Sequence, residues 1–249
     1  IGALANEANN ATRVNNVHVD GVLAGERGIG GLVWKADNSK ITNSSFNGRI
    51  VNSYETRSPY NIGGLVGQLT GINAVVDKSK ATITISSNAD STNQTVGGLA
   101  GLVEKDALIS NSYAEGNINN VKRFGSVAGV AGYLWDRDSN EERHAGRLHN
   151  VLSDVNVMNG NAISGYHYRG MRITDSYSNK ENRVYKVTLE KDEVVTKESL
   201  EERGTLIDPA QIASKKSEIN SLAVPKVESL LTSRNIESDF SKVEDYRAS

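Results

Sequence analysis

The chain has 249 residues, 37% of them hydrophobic and 6% aromatic, with a formal net charge of −2 and no cysteine. A near-neutral balance without a basic face excludes the electrostatic footprint of a nucleic-acid binder, and the lack of Cys excludes disulfides, thiolate zinc sites and a cysteine nucleophile. No apolar run approaches the ~20 residues that span a bilayer, and few aromatics beside 23 Gly point to a thin fold of many short strands and turns.

The chain opens on "IGALANEANN". It lacks an initiating Met, a basic region and a continuous apolar stretch, so it reads as a piece of a longer protein without a signal peptide. A glycine-rich hexamer then recurs: "IGGLVW" from Ile29, "IGGLVG" from Ile62, "VGGLAG" from Val96 and "VAGVAG" from Val127. With Ile1 and a weak copy at Ile163, the spacings are 28, 33, 34, 31 and 36 residues. Ile62 and Leu65 are three apart, so a straight strand would send them to opposite faces, whereas a bend at Gly63-Gly64 aims both inward. Glycine supplies such a corner through positive φ or close backbone approach.

Each hexamer is followed by a second motif: "VNNVHVDGVL" from Val14, "ITNSSFNGRI" from Ile41, "VDKSKATITI" from Val76, "ISNSYAEGNI" from Ile109, "LHNVLSDVNV" from Leu148 and "ITDSYS" from Ile173. These alternate with period two. One phase carries Val19, Phe46, Ala81, Ala114 and Ser153, and the other carries Asp20, Asn47, Thr82, Glu115 and Asp154, as half-buried strands require. One such strand cannot bury its inner face alone, but copies stacked in register can. The expected fold is therefore mainly β: a right-handed parallel β-helix, or β-solenoid, with a narrow interior, each coil adding ~4.8 Å. Tyr113 and Tyr177 fall in the outward phase, where they are candidates for an aromatic ladder.

The longest unit lies between Val127 and Ile163, and its insertion runs "YLWDRDSNEERHAGRLH" from Tyr133. Aromatic and Arg side chains favour protein interfaces, so Tyr133, Trp135, Arg137 and Arg143 are the candidate protein-binding residues. The plainer alternative is that Trp135 packs beneath its own loop.

After Gly170 only Gly204 remains and charge rises. "VYKVTLEKDEVV" from Val184 suits a strand. Asp208, Pro209 and Gln211 form a capping box with Pro at the first helical position, leading an apolar stripe of Ile212, Ile219 and Leu222. Further stripes follow at Val227, Leu230 and Leu231, and at Phe240, Val243 and Tyr246. The expected division is residues 1–180 as solenoid and 181–249 as a strand plus a small α-helical segment.

Catalytic patterns are absent from the sequence. His144 and His149, five apart, sit about 140° from each other on a helix, missing the HExxH spacing of zinc proteases, and no third ligand accompanies them beside Glu141 and Glu142. No GxSxG elbow occurs, "GERGIGGL" from Gly25 lacks the P-loop lysine, and Val33 stands where GxGxxG needs its last glycine. Outward acids occur at Asp20, Glu115 and Asp154, and with Asn47 and Thr82 in the other coils no adjacent acids are expected, which disfavours a glycan-cleaving solenoid.

"GLVG" (Gly64 to Gly67), "GLAG" (Gly98 to Gly101) and "NSYAEG" (Asn111 to Gly116) resemble GLUG repeats, which occur in bacterial surface adhesins and in streptococcal immunoglobulin A1-specific zinc metallopeptidases. The tail "LIDPAQIASKKSEINSL" through "SKVEDYRAS" resembles the segment leading into the metallopeptidase domain, including zinc metalloprotease B members. No catalytic residue carries over, since HExxH has no match. The resemblance implies a noncatalytic module without a cofactor of its own. The implied parent is secreted, attached to the cell wall, dependent on zinc in its catalytic domain, and active on host proteins such as immunoglobulin A1. The partners expected are that host protein and the parent's own catalytic domain. A structural stalk or adhesin repeat is the alternative.

Overall fold

The computed structural model describes residues 1–52, 60–89, 93–120, 126–134, 144–167, 172–180, 184–190, 193–200 and 204–223. Three parallel sheets stack the repeats, with coils one to six beginning at Ile1, Ile29, Ile62, Val96, Val127 and Ile163. The first face has six strands: Ala5–Ala8, Val33–Asp37, Val66–Thr70, Ala100–Glu104, Ala131–Leu134 and Ser164–His167. The second face is the broad one and contains His18–Gly25, Ser45–Asn52, Lys80–Ser87, Leu108–Asn120, Arg147–Met158 and Arg172–Ser178, with short strands such as Lys40–Thr42 leading into the early ones. The third has Gly28–Gly30, Tyr60–Gly63, Gln94–Gly97 and Ser126–Ala128.

Register follows the sequence phases. Val19 pairs with Phe46, Phe46 with Ala81, Ala81 with Ala114 and Ala114 with Ser153. One strand earlier on the same face, Val14, Ile41, Val76, Ile109 and Leu148 form an aliphatic ladder, all at most 7% exposed. Such stacking suits β-branched side chains, and each full burial contributes about 1.5–3 kcal/mol before conformational entropy is subtracted.

The glycine corner works by contact, not by unusual dihedrals. Ile62 and Leu65 are both fully buried, so the bend does aim them inward, yet neither Gly63 nor Gly64 has a positive φ. A Cβ on Gly64 would lie 2.0 Å from the Gly98 carbonyl oxygen and 2.9 Å from the Ala81 methyl. One on Gly98 would lie 1.9 Å from the Gly129 oxygen and 2.8 Å from the Ala114 methyl. Successive corners therefore approach backbone to backbone, joined by Gly31 N to Gly63 O (3.1 Å), Gly64 N to Gly97 O (3.2 Å) and Leu65 N to Leu99 O (2.9 Å). The corner also faces the second-face residue of its own coil: Gly31 the Phe46 ring, Gly64 the Ala81 methyl and Gly98 the Ala114 methyl.

Positive φ is used elsewhere, at one position per coil on the second face: Asn16, Asn43, Lys78, Asn111, Asn150 and Asp175, with φ between 45° and 57°. This left-handed residue resets the alternation, so that Ile41 and Ser44, three apart, are both buried. Asn and Asp tolerate it best among non-glycine residues. Ser44, Ser79 and Ser112 then fill the step. Ser79 Oγ donates to Asp77 O (2.9 Å) and accepts from Ser44 N (3.1 Å), and Ser112 Oγ repeats both contacts with Ser110 O (2.6 Å) and Ser79 N (3.1 Å). The hydroxyls supply ladder bonds that the kinked backbone cannot, as buried amides require.

Past coil six, Val184–Glu190 and Glu193–Leu200 form an antiparallel hairpin, so the single strand expected from Val184 to Val195 is instead the first arm and the start of the second. Thr205–Leu206 then returns to pair in parallel with the coil-six strand, and a helix, α1, the one helix among the described residues, spans Pro209–Leu222. The stripes expected at Val227 and Phe240 lie outside the described residues.

Two outcomes follow for stability. Gly64→Ala costs roughly 3 kcal/mol by overpacking, whereas Gly21→Ala, whose Cβ meets nothing within 4 Å, changes stability by less than about 0.5 kcal/mol; urea unfolding distinguishes them. In the kink, Lys78→Asn raises the melting temperature by relieving part of the ~1–2 kcal/mol left-handed penalty, while Ser79→Ala lowers it, stranding a buried amide at about 1–3 kcal/mol.

Candidate docking face on coils four to six

Outward residues on the second face form two rows. The first reads His18, Ser45, Lys80, Tyr113, Leu152 and Tyr177 in register. It turns apolar at coil four, where α1 covers it: Tyr113 (4% exposed) and Leu152 (0%) cluster with Ile212 (7%) and Ile219 (2%), flanked by Tyr177 and Ile207. Leu152 stands between Tyr113 and Tyr177 in register, so the expected aromatic ladder does not form; the row serves instead as the seat of the helix.

The helix starts where its capping box predicts. Asp208 accepts from Gln211 N at 2.8 Å, Asp208 N donates to the Gln211 side chain at 3.0 Å, and Pro209 occupies the first turn. Ile212 and Ile219 are two turns apart on one face. Leu222, expected in the same stripe, is 42% exposed, because the last turn meets the sheet through Asn220, whose Nδ2 donates to Tyr113 Oη at 3.3 Å.

The second outward row reads Asp20, Asn47, Thr82, Glu115 and Asp154. Glu115 and Asp154 are direct register partners, which corrects the expectation that no adjacent coils stack acids here. The structure resolves the repulsion with Lys216 of α1, whose Nζ donates to Glu115 Oε2 at 2.7 Å and also to Asp154 Oδ2. Thr82 Oγ1 donates to Glu115 (2.7 Å) and Asn179 Nδ2 to Asp154 (2.8 Å). The neighbouring Lys215 stands 4.6 Å over the Tyr177 ring, a cation–π distance.

Burial works against charge on Glu115, but hydrogen bonds from Lys216 and Thr82 and the positive charges of Lys216 and Lys80 outweigh it, holding the carboxyl below its ordinary 4.5. Lys216 is likewise opposed by burial, yet its bonds to Asp154 and Glu115 raise it above 10.5. The Glu115 contribution is present above the unfolded carboxyl pKa and is lost as pH falls through the lower folded value. The Lys216 contribution is present below the unfolded ammonium pKa and is lost as pH rises through the higher folded value. Between those limits the ion pair adds to the apolar contacts that seat the helix.

At the expected binding insertion, Trp135, Arg137 and Arg143 lie outside the described residues. Tyr133 is corrected: it is 2% exposed in the strand Ala131–Leu134, in register with buried Leu102, so it packs on the column and presents no anchor to a partner. Past that segment, His144 Nδ1 meets the Asp106 carboxylate at 2.7 Å and Arg147 Nε donates to the Asp106 carbonyl at 2.9 Å. His149 instead meets Thr174 Oγ1 at 2.9 Å. Among the described residues no group of three or more His, Cys, Asp or Glu gathers as a metal site, and these contacts do not fit a zinc centre.

Comparison with known proteins places this geometry. Residues 25–51 and 92–119 match the GLUG motif. The whole chain is 92% identical to part of an immunoglobulin A1 protease of Streptococcus sanguinis and 69% identical to part of one from Streptococcus pneumoniae, spanning 13% of the length of each. Over 79% of the chain, a zinc metalloprotease ZmpC of S. pneumoniae is 36% identical, with 10% of its length covered. A solved IgA1 protease structure superposes with a TM-score of 0.73 at 70% identity, covering 92% of this chain and 18% of that one.

Replacing Lys216 with Met keeps the methylene packing and removes the charge. The Glu115 carboxyl then titrates above its wild-type value in carbon-detected NMR, and the Ile219 amide loses hydrogen-exchange protection at neutral pH; wild type loses that protection only in acid or strong alkali.

Proposed function

Taking as premise that the chain carries GLUG repeats and is related throughout its length to a segment of streptococcal immunoglobulin A1 proteases, we propose that it is a noncatalytic module that holds and positions protein substrate for a zinc metalloendopeptidase domain elsewhere in the parent. In this reading the three stacked sheets are a right-handed β-helix, and the parent is secreted, attached to the cell wall and active on host proteins, immunoglobulin A1 among them. Zinc belongs in this reading to the parent's catalytic domain: the sequence has no HExxH, and His144 and His149 make structural contacts.

The observation that carries the reading is the seating of α1. A rigid column that fixes the helix following it, through a buried apolar patch and a lysine shared by two coils, sets the orientation of whatever that helix leads into. Orientation is what proximity catalysis requires of a noncatalytic part. The insertion carrying Trp135, Arg137 and Arg143 supplies the holding surface, with the aromatic and Arg chemistry of interface anchors. The stalk reading draws on the continuity of the coil interior, which needs no partner to account for it.

The parent protease tests both. Removing the insertion's anchors with Trp135→Ala and Arg137→Ala raises KM for intact immunoglobulin A1 about tenfold with kcat unchanged, the signature of lost uniform binding, and leaves cleavage of a short hinge peptide as it was. Unchanged KM in both assays assigns the column to the stalk role instead.

A further inference from the structure

On the first face, away from α1, a polar groove of about 300 Å3 crosses coils two to four. Register builds it as a grid. Lys35, Gln68 and Leu102 form one row, and Asp37, Thr70 and Glu104 the next, with ~4.8 Å between coils and about 6.6 Å between rows. Asn61 borders it from the third face.

Several of these groups are only partly used by the protein. Glu104 is 5% exposed and takes a hydrogen bond from Gln68 Nε2 at 2.7 Å, which fixes both. Asp37 receives Asn38 Nδ2 on one carboxylate oxygen at 2.9 Å. Asn61 accepts from Thr95 Oγ1 at 2.8 Å through its carbonyl, and no contact uses its NH2 among the described residues. Half-buried Lys35 and the 5%-exposed Thr70 hydroxyl likewise have no side-chain partner there. Unused donors and acceptors in a concave site are what fix a polar ligand.

The donor set narrows the ligand class. Lys35 and Lys105 in one groove oppose a bare metal cation. Asp37 and Glu104 oppose a multiply charged phosphate. An apolar ligand finds only Leu102 beneath it. What remains is a ligand with one negative charge and many hydroxyls: the hydroxyls donate to Asp37 and accept from Asn61 and Thr70, and the carboxylate meets Lys35. We propose that this groove binds an acidic saccharide, a hydroxyl-rich ring bearing one carboxylate. The site is separate from the helix seat and does not depend on the parent being a protease.

Methyl glucuronide and methyl glucoside, which differ at the carboxylate, are the probes, followed by amide shifts in the chain as it stands. The glucuronide shifts Gln68, Thr70 and Leu102 with a millimolar Kd, the glucoside binds at least tenfold more weakly, and Lys35→Met abolishes that difference while the far-face Ile219 amide stays put in all titrations. No shift at the groove with either probe, or equal shifts with both, overturns the proposal. A Thr70→Val variant that weakens both sugars alike supports the hydroxyl contacts; one that binds both as wild type does counts against them.

Discussion

The stack depends on one close approach: backbone meeting backbone at the glycine corner of successive coils. Because the Gly98 oxygen sits where a Gly64 Cβ would be, the corners close to hydrogen-bonding distance, and that fixes the vertical register of everything between them. The aliphatic ladder from Val14 to Leu148 and the serine steps at Ser44, Ser79 and Ser112 add cohesion only once that register is set. A slip of one residue would turn every inner side chain outward.

The same register makes an outer surface by arithmetic. Positions that face solvent in the early coils, His18, Ser45 and Lys80, align with Tyr113, Leu152 and Tyr177 in the later ones. Changing residue type along a row, without changing the backbone, converts part of a regular face into a seat for α1. Lys216 joins coils four and five through Glu115 and Asp154, so the helix also bridges the strands beneath it. The first face uses the same device differently, setting amide, hydroxyl and charged groups on a grid whose spacing the backbone dictates.

Much of this was legible in the sequence because a two-residue period repeated at a roughly thirty-residue spacing leaves few alternatives. The pairing of Val19, Phe46, Ala81 and Ala114 and the capping box at Asp208 could be read directly. The left-handed kink was also encoded, in the Asn, Asp or Lys two residues after each motif's start and in the three-residue step from Ile41 to Ser44, but strict alternation obscured it. The Glu115–Asp154 neighbour pair was readable by alignment, and its partner was not: Lys216 lies about a hundred residues from Glu115, beyond any local pattern. Tyr133 misled because an aromatic beside Arg resembles an interface anchor, whereas its strand position buries it.

The most direct measurement is cross-linking between coils, which the lack of native cysteine makes clean. Ser45 and Lys80 are register partners, and adjacent strands bring Cα atoms to about 5 Å, within the range a disulfide spans. Ser45→Cys with Lys80→Cys is predicted to oxidise readily to an intramolecular disulfide, while Ser45→Cys with Thr84→Cys is not. Equal oxidation of the two pairs, or failure of the first, would contradict in-register stacking.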